Sequence, residues 1–311
     1  PMSLIVIGNF DGVHRGHQSV LRSVGELAAG RGLSPKLFTF EPHPAVTLGR
    51  TPPPRLTTLA RKRELVRRAC PGIEVVVREF TPAFSEQSPE DFAQHVLANE
   101  LGAKVVMVGA NFRFGKDRAG NVDDLRRLGE QHGFETIAES LVHDDHGAWS
   151  STRIRARIAE GDMAEAADML GRPHMLSGEV VRGDQRGRTI GFPTCNLAEP
   201  PEALPPNGVY AVLVDRVEED EVTALAKGVA NLGVRPTVKD AQPRPLLEAH
   251  LFDVSEDLYG ASLRVHLVER LREEKKFAGL DALKSQIDAD AEAARRCLRA
   301  HAPDPDLGSW W

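Results

Sequence analysis

Up to about Leu170, short apolar runs alternate along the chain with stretches of helical character. Leu4-Ile5-Val6-Ile7 is rich in β-branched residues and reads as a buried parallel strand. Ser34-Pro35-Lys36-Leu37-Phe38-Thr39-Phe40, residues 73–77 and Lys104-Val105-Val106-Met107-Val108 continue the series of strands. Residues 19–27 carry apolar side chains at helical spacing, residues 60–68 form a basic helix, and Ser88-Pro89-Glu90-Asp91 caps another. Strand alternating with helix predicts an α/β domain, a parallel sheet with helices on both faces. Gly171-Arg172-Pro173 breaks the last of these helices. Beyond it, residues 176–181, 209–214, 226–232, 247–252 and 263–268 are short alternating segments separated by turn residues. They predict a mainly antiparallel sheet or β-barrel, followed by a C-terminal helix over 280–299. The expected domains are residues 1–171 and 172–311, with residues 303–311 as a tail whose Trp310-Trp311 pair the pattern does not explain.

Composition narrows this picture. The 311 residues include 41% hydrophobic and 27% charged side chains, the make-up of an ordinary globular protein with room for two cores. A net charge of −6 and the lack of an arginine-rich run argue against a nucleic-acid surface. No apolar stretch is long enough to span a bilayer and no signal-peptide pattern is present, so no membrane partner and a cytoplasmic location are expected. Cys70, Cys195 and Cys297 are odd in number and far apart, which fits neither a disulfide framework nor a zinc site.

The chemistry concentrates in Gly8-Asn9-Phe10-Asp11-Gly12-Val13-His14-Arg15-Gly16-His17, between the first strand and the first helix. Open α/β sheets keep their ligand crevice at such a turn. Its glycines allow close approach of the backbone, and the helix N-terminus offers free N–H groups to phosphate. His14 and His17, three residues apart on the first turn, would face the same way and bracket one anionic group. The G-x-G-x-x-G spacing and a Walker lysine are both missing, whereas His-x-Gly-His after Gly-x-Phe-Asp-Gly resembles the nucleotidyltransferases.

Three further loops sit where such a site would need them. Glu41-Pro42-His43-Pro44 is a rigid loop at a strand's carboxyl end, where His43 either meets ligand or is merely exposed. Asn111, Arg113 and Lys116, set among glycines and phenylalanines after the strand at 104–108, suit a nucleotide-facing loop. Ser150 or Ser151 caps a helix whose first turn carries Thr152 and Arg153, another anion-friendly start. Two groups read as structural: Arg61, Lys62, Arg63, Arg67 and Arg68 as a solvated face, and His143-Asp144-Asp145-His146 as a polar loop rather than a metal site.

In the second half, residues 182–197 are rich in glycine and arginine, and either wrap phosphates or form a hairpin between strands. Thr194 and Asn196, two apart on an extended segment, point to the same side and could hold Mg²⁺.

Taken in order, these motifs resemble those of the bifunctional riboflavin kinase/FAD synthetases. The match runs through Gly8 to His17, Gly109-Ala-Asn-Phe-Arg-Phe-Gly, Ser151-Thr-Arg-Ile-Arg and Gly187-Arg-Thr-Ile-Gly-Phe-Pro-Thr-Cys-Asn. It continues through Asn207-Gly-Val-Tyr, Asn231-Leu-Gly-Val-Arg-Pro-Thr, Glu248-Ala-His-Leu-Phe-Asp, Asp257-Leu-Tyr-Gly and Leu271-Arg-Glu-Glu-Lys-Lys-Phe. The resemblance implies a Rossmann-like FMN adenylyltransferase domain in front and a riboflavin kinase β-barrel behind. It further implies ATP, riboflavin and FMN as small-molecule partners, FAD as product, Mg²⁺ as metal, and no role for nucleic acid; whether the chain forms a homo-oligomer stays open.

By the same resemblance, Gly8, Phe10, Asp11, Gly12, His14, His17, Ser151, Thr152 and Arg153 would bind ATP for adenylyl transfer, with Asn111 and Arg113 toward FMN. In the kinase half, Gly178, Gly187, Arg188, Gly191, Pro193, Thr194 and Asn196 would bind ATP, Thr194 and Asn196 also holding the metal. Arg235, Arg272, Glu274 and Phe277 would lie along the flavin, and Glu248 would take the proton of its 5′-hydroxyl. Two departures stand out. The chain starts almost on its first strand, where family members have a short arm, which bears on whether the numbering begins at the native start. Cys195 replaces the more usual alanine and should face away from the metal. The rival readings are a nucleotidyltransferase for another phosphorylated acceptor and a flavin-binding regulator with inactive sites.

Overall fold

The computed structural model describes residues 1–140, 143–144, 147–183, 191–219, 221–235, 242 and 244–311, with backbone alone at 143, 144, 148 and 235. The chain divides into two compact units, Pro1–Ser151 and Thr152–Trp311.

In the first unit, β1 (Ser3–Ile7), β2 (Ser34–Phe40), β3 (Glu74–Arg78), β4 (Ala103–Gly109) and β5 (Glu135–Glu139) form one parallel sheet in the order β3-β2-β1-β4-β5. The order reverses at β1, so the carboxyl ends of β1 and β4 frame the crevice. Alternation along β1 decides both cores. Leu4 and Val6 pack with Leu21, Val24 and Ala28 of α1 (Arg15–Arg31) and with Leu65 and Val66 of α2 (Leu59–Ala69). Ile5 and Ile7 point to the other face. There they meet the helix Pro89–Asp91, which continues as the wider-wound Phe92–Glu100, and α3 (Val122–His132). Helices therefore cover both faces, as the alternation predicts.

The basic helix is the first correction. Arg61 and Lys62 are 1% and 3% exposed rather than solvated, because α2 turns this face against the sheet side of the unit. The Arg61 guanidinium pairs with Glu64 at 2.8 Å.

The second unit opens with helices α4 (Ser151–Glu160, whose first residue closes the front unit) and α5 (Met163–Leu170). A closed barrel follows, built from β6 (His174–Val181), β7 (Cys195–Ala198), β8 (Gly208–Glu218), β9 (Glu221–Arg235), β10 (Arg244–Leu251) and β11 (Ser262–Arg272). Its order is β8-β9-β10-β7-β6-β11, antiparallel at every pairing and closed by β11 on β8. Helix α6 (Leu280–Cys297) packs Ala294, with Leu298 beyond it, on Val209, Ala211 and Leu213.

Trp310, left unexplained by the sequence pattern, belongs to this same cluster. Its indole N–H donates to the Val214 carbonyl at 3.0 Å, and its backbone N–H donates to Asp215 at 2.9 Å. Asp215 also accepts from His266 at 2.7 Å, both side chains being fully buried.

Candidate active sites

The motif between β1 and α1 folds as a tight turn around its own side chains. Phe10 and Val13 hold positive φ, 50° and 41°, with Gly12 at 85° between them. A β-branched residue there is strained, and such strain concentrates at functional turns. The turn is fixed from below: Asp11 accepts from the backbone N–H of Leu56 at 3.0 Å and of Thr57 at 3.1 Å. The Gly12 N–H donates to Thr57 Oγ1 at 3.2 Å, and Ser151 Oγ donates to the Asp11 carbonyl at 2.8 Å. Asp11 and Gly12 thus hold the loop's shape.

His14 is the N-cap of α1, its Nδ1 accepting from the His17 N–H at 3.3 Å. The two imidazoles stack, centroids 3.6 Å apart at 18°, and Phe10 backs His17 at 4.6 Å. The pair faces one way, as the spacing predicts, but as a stack rather than a bracket. Gly16 permits this, since a Cβ there would lie 2.8 Å from His14 Cε1. Gly8, Asn9, Phe10, His14, Gly16 and His17 line a cavity of ≈ 290 Å³ closed by Met107, Gly109, Glu139, Trp149, Ser150 and Ser151.

Other expected members are not among these lining residues. Asn111 and Arg113 are exposed and outside this lining. Thr152 and Arg153 fall in the second unit, where Arg153 pairs with Glu165 at 2.8 Å. Trp149 and Glu139 went unnoticed in the sequence, although Trp149 adjoins the serine cap.

In the barrel two cavities meet. The smaller, ≈ 260 Å³, is lined by Arg182, Gly183, Pro193, Thr194, Cys195, Asn196 and Tyr259. The larger, ≈ 670 Å³, is lined by Thr194, Asn196, Asn231, Glu248, His250, Arg272, Glu274 and Phe277. Thr194 and Asn196 belong to both. Asn196 is the register partner of Glu248 across β7 and β10, and Asn231 of Glu248 across β9 and β10. Cross-strand neighbours on one face stand within side-chain reach.

Arg272 is locked by a bidentate pair with Asp290 of α6, at 2.9 and 2.8 Å, and lies 5.8 Å from the Phe277 ring. Buried Cys195 also lines the smaller cavity, and burial pushes its thiol up to about 11, so it stays neutral. Gly178 and Gly191 line neither cavity. Gly187 and Arg188 lie outside the described residues, as does the Arg235 side chain.

Whether this wall fits a divalent cation can be read from Asn196. Its buried Oδ1 has no hydrogen-bond partner among the described residues, and Gly183 leaves room for it: a Cβ there would lie 1.7 Å from Asn196 Nδ2. An orphaned amide oxygen on a lining shared with a threonine hydroxyl supplies hard oxygen donors of the kind such an ion takes.

The chain thus pairs a strand-to-helix histidine turn at a sheet switch point with a two-cavity barrel, a two-site architecture. The comparisons identify its family. The family profile described as FAD synthetase matches residues 1–153, and that described as riboflavin kinase matches residues 170–298. The bifunctional riboflavin kinase/FMN adenylyltransferase of Escherichia coli (strain K12) is 38% identical over 292 residues, 94% of this chain and 91% of that relative. The one from Pseudomonas fluorescens is 39% identical over 293 residues, covering 93% and 91%. Among solved structures, the macrolide-efflux protein from Streptococcus pneumoniae aligns with a TM-score of 0.81 at 32% identity over 94% of each chain. The chain belongs to the family of bifunctional riboflavin kinase/FMN adenylyltransferases. Among the described residues, no helix is long and apolar enough to cross a membrane.

Proposed function

We infer that the chain makes FAD in two steps, the barrel phosphorylating riboflavin to FMN and the front unit joining FMN to the adenylyl group of ATP with loss of pyrophosphate. The observation that carries the kinase assignment is the shared wall. ATP in the smaller cavity and riboflavin in the larger would meet at Thr194 and Asn196, beside Glu248. Both reactions are in-line attacks at phosphorus, where positioning and charge stabilisation dominate.

In the barrel, Glu248 accepts the proton of the flavin 5′-hydroxyl as that oxygen attacks the γ-phosphorus, whose bond to the bridging oxygen breaks to release ADP. Arg272, held rigid by Asp290, and Phe277 orient the flavin. Thr194 and the orphaned Asn196 oxygen would hold Mg²⁺, which when bound neutralises phosphate charge. In the front unit, the attacking FMN phosphate is already anionic and needs no base. The His14–His17 stack and the N-terminal end of α1 bind the triphosphate and stabilise charge growing on the leaving pyrophosphate. The domain boundary assigned to the two activities is 171/172, and the cytoplasm, which supplies ATP and flavin, is the location.

The direct test is purified protein with riboflavin, ATP and Mg²⁺, followed by chromatography of the flavins over time. FMN that rises and then gives way to FAD is expected. The absence of either product removes the corresponding half of this reading.

A further inference from the structure

The front cavity must receive a phosphate monoester, yet Asn111 and Arg113 stand exposed and outside its lining. A different cation is built in behind it. Lys62, on the buried face of α2 and 3% exposed, places its Nζ 3.4 Å from Oδ1 of Asn9. Asn9 is itself exposed and lines the cavity beside Gly8, Phe10, His14 and His17. An ammonium can only donate, so it selects the oxygen end of a carboxamide that could otherwise present either end. The end left over is Nδ2, with two N–H donors.

We propose that Lys62 is a positioning residue for FMN adenylylation, holding the Asn9 carboxamide so that its amide N–H groups donate into the cavity, to phosphate oxygens. The assignment rests on the adenylyltransferase reading of this unit. A buried ammonium is costly, and an apolar side chain of similar length would fill the same space without that cost. Burial indeed draws Lys62 below the ordinary lysine value, against the pull of Asp11 and Glu41 and with the push of Arg55. A lysine there also faces Asp11 and Glu41 with its charge, which Asn9→Asp leaves in place; what it directs toward the cavity, and packing does not, is a donor to Asn9.

Two variants of the full chain separate this role from a structural one. Lys62→Met keeps the packing and frees the amide. Asn9→Asp keeps, and strengthens, the contact with Lys62 but puts a carboxylate where the donors were. FMN adenylylation should lose about tenfold or more in kcat in both variants, the scale of a lost transition-state donor. Riboflavin phosphorylation by the same molecules should stay at the wild-type rate, and Lys62→Arg should recover part of the loss. Asn9→Asp with wild-type FAD formation, or Lys62→Met with the same, overturns the proposal. Wild-type protein that makes no FAD from supplied FMN overturns instead the reading on which it rests.

Discussion

Asn196 and Glu248 are register partners on neighbouring antiparallel strands of the barrel, both opening on the larger cavity. The pairing sets an amide oxygen suited to a cation next to a carboxylate suited to a proton. Removing only the charge of the second isolates its role. Glu248→Gln should lower FMN formation from riboflavin by about 100-fold or more, the usual worth of a positioned base. FAD formation from supplied FMN should remain at the wild-type rate, which flavin chromatography of the two half-reactions checks.

The opposite dissection belongs to the front unit. His14→Ala removes the α1 cap and half of the imidazole stack together. FAD formation should fall by about 100-fold or more while FMN formation persists. Loss of both activities in this variant would contradict two separate sites.

Gly183 offers a test that touches no reacting group. A methyl group at this position would collide with the Asn196 amide, which must then swing out of the shared wall. Displacements of this size cost about 100-fold in rate when they move a reacting centre. Gly183→Ala should therefore depress riboflavin phosphorylation on that scale and leave adenylylation intact.

Asp215 predicts a change in stability rather than in chemistry. Its fully buried carboxylate accepts from His266 and from the Trp310 backbone. Asp215→Ala removes the acceptor of both donors and should cost about 1–3 kcal/mol for each buried group left without it. Denaturant unfolding of the intact protein, followed by tryptophan fluorescence, measures it.

How much of this was legible in the sequence depends on how local each signal is. The β1–turn–α1 motif declared itself because strand, glycines and histidines are consecutive, and the alternation of strands with helices along the chain was enough to predict helices on both faces. Asn196 and Glu248 were singled out separately, but nothing local says that strand register sets them side by side. Lys62 was misread because a run of basic residues on a helix looks solvated until the helix is docked. Helix α3 and edge strand β5 passed unnoticed: residues 122–139 are largely polar, and β5 is only partly buried. Asn111 and Arg113 follow a strand end as ligand loops do; their loop carries a Phe112–Phe114 stack and leaves both side chains exposed. Trp310 acquires meaning only through contacts 95 residues back along the chain.

The wall formed by Thr194 and Asn196 has a consequence for inhibition. Because one pair of side chains borders both cavities, then with flavin and nucleotide placed as proposed above a single compound could carry an isoalloxazine at one end and an adenine at the other, joined by a short anionic bridge laid across that wall. Occupying both cavities with one molecule makes the second contact intramolecular, so such a hybrid would bind more tightly than either fragment at equal concentration. Its linker length, scanned in a series, would measure the distance from flavin hydroxyl to nucleotide phosphate with a chemical ruler.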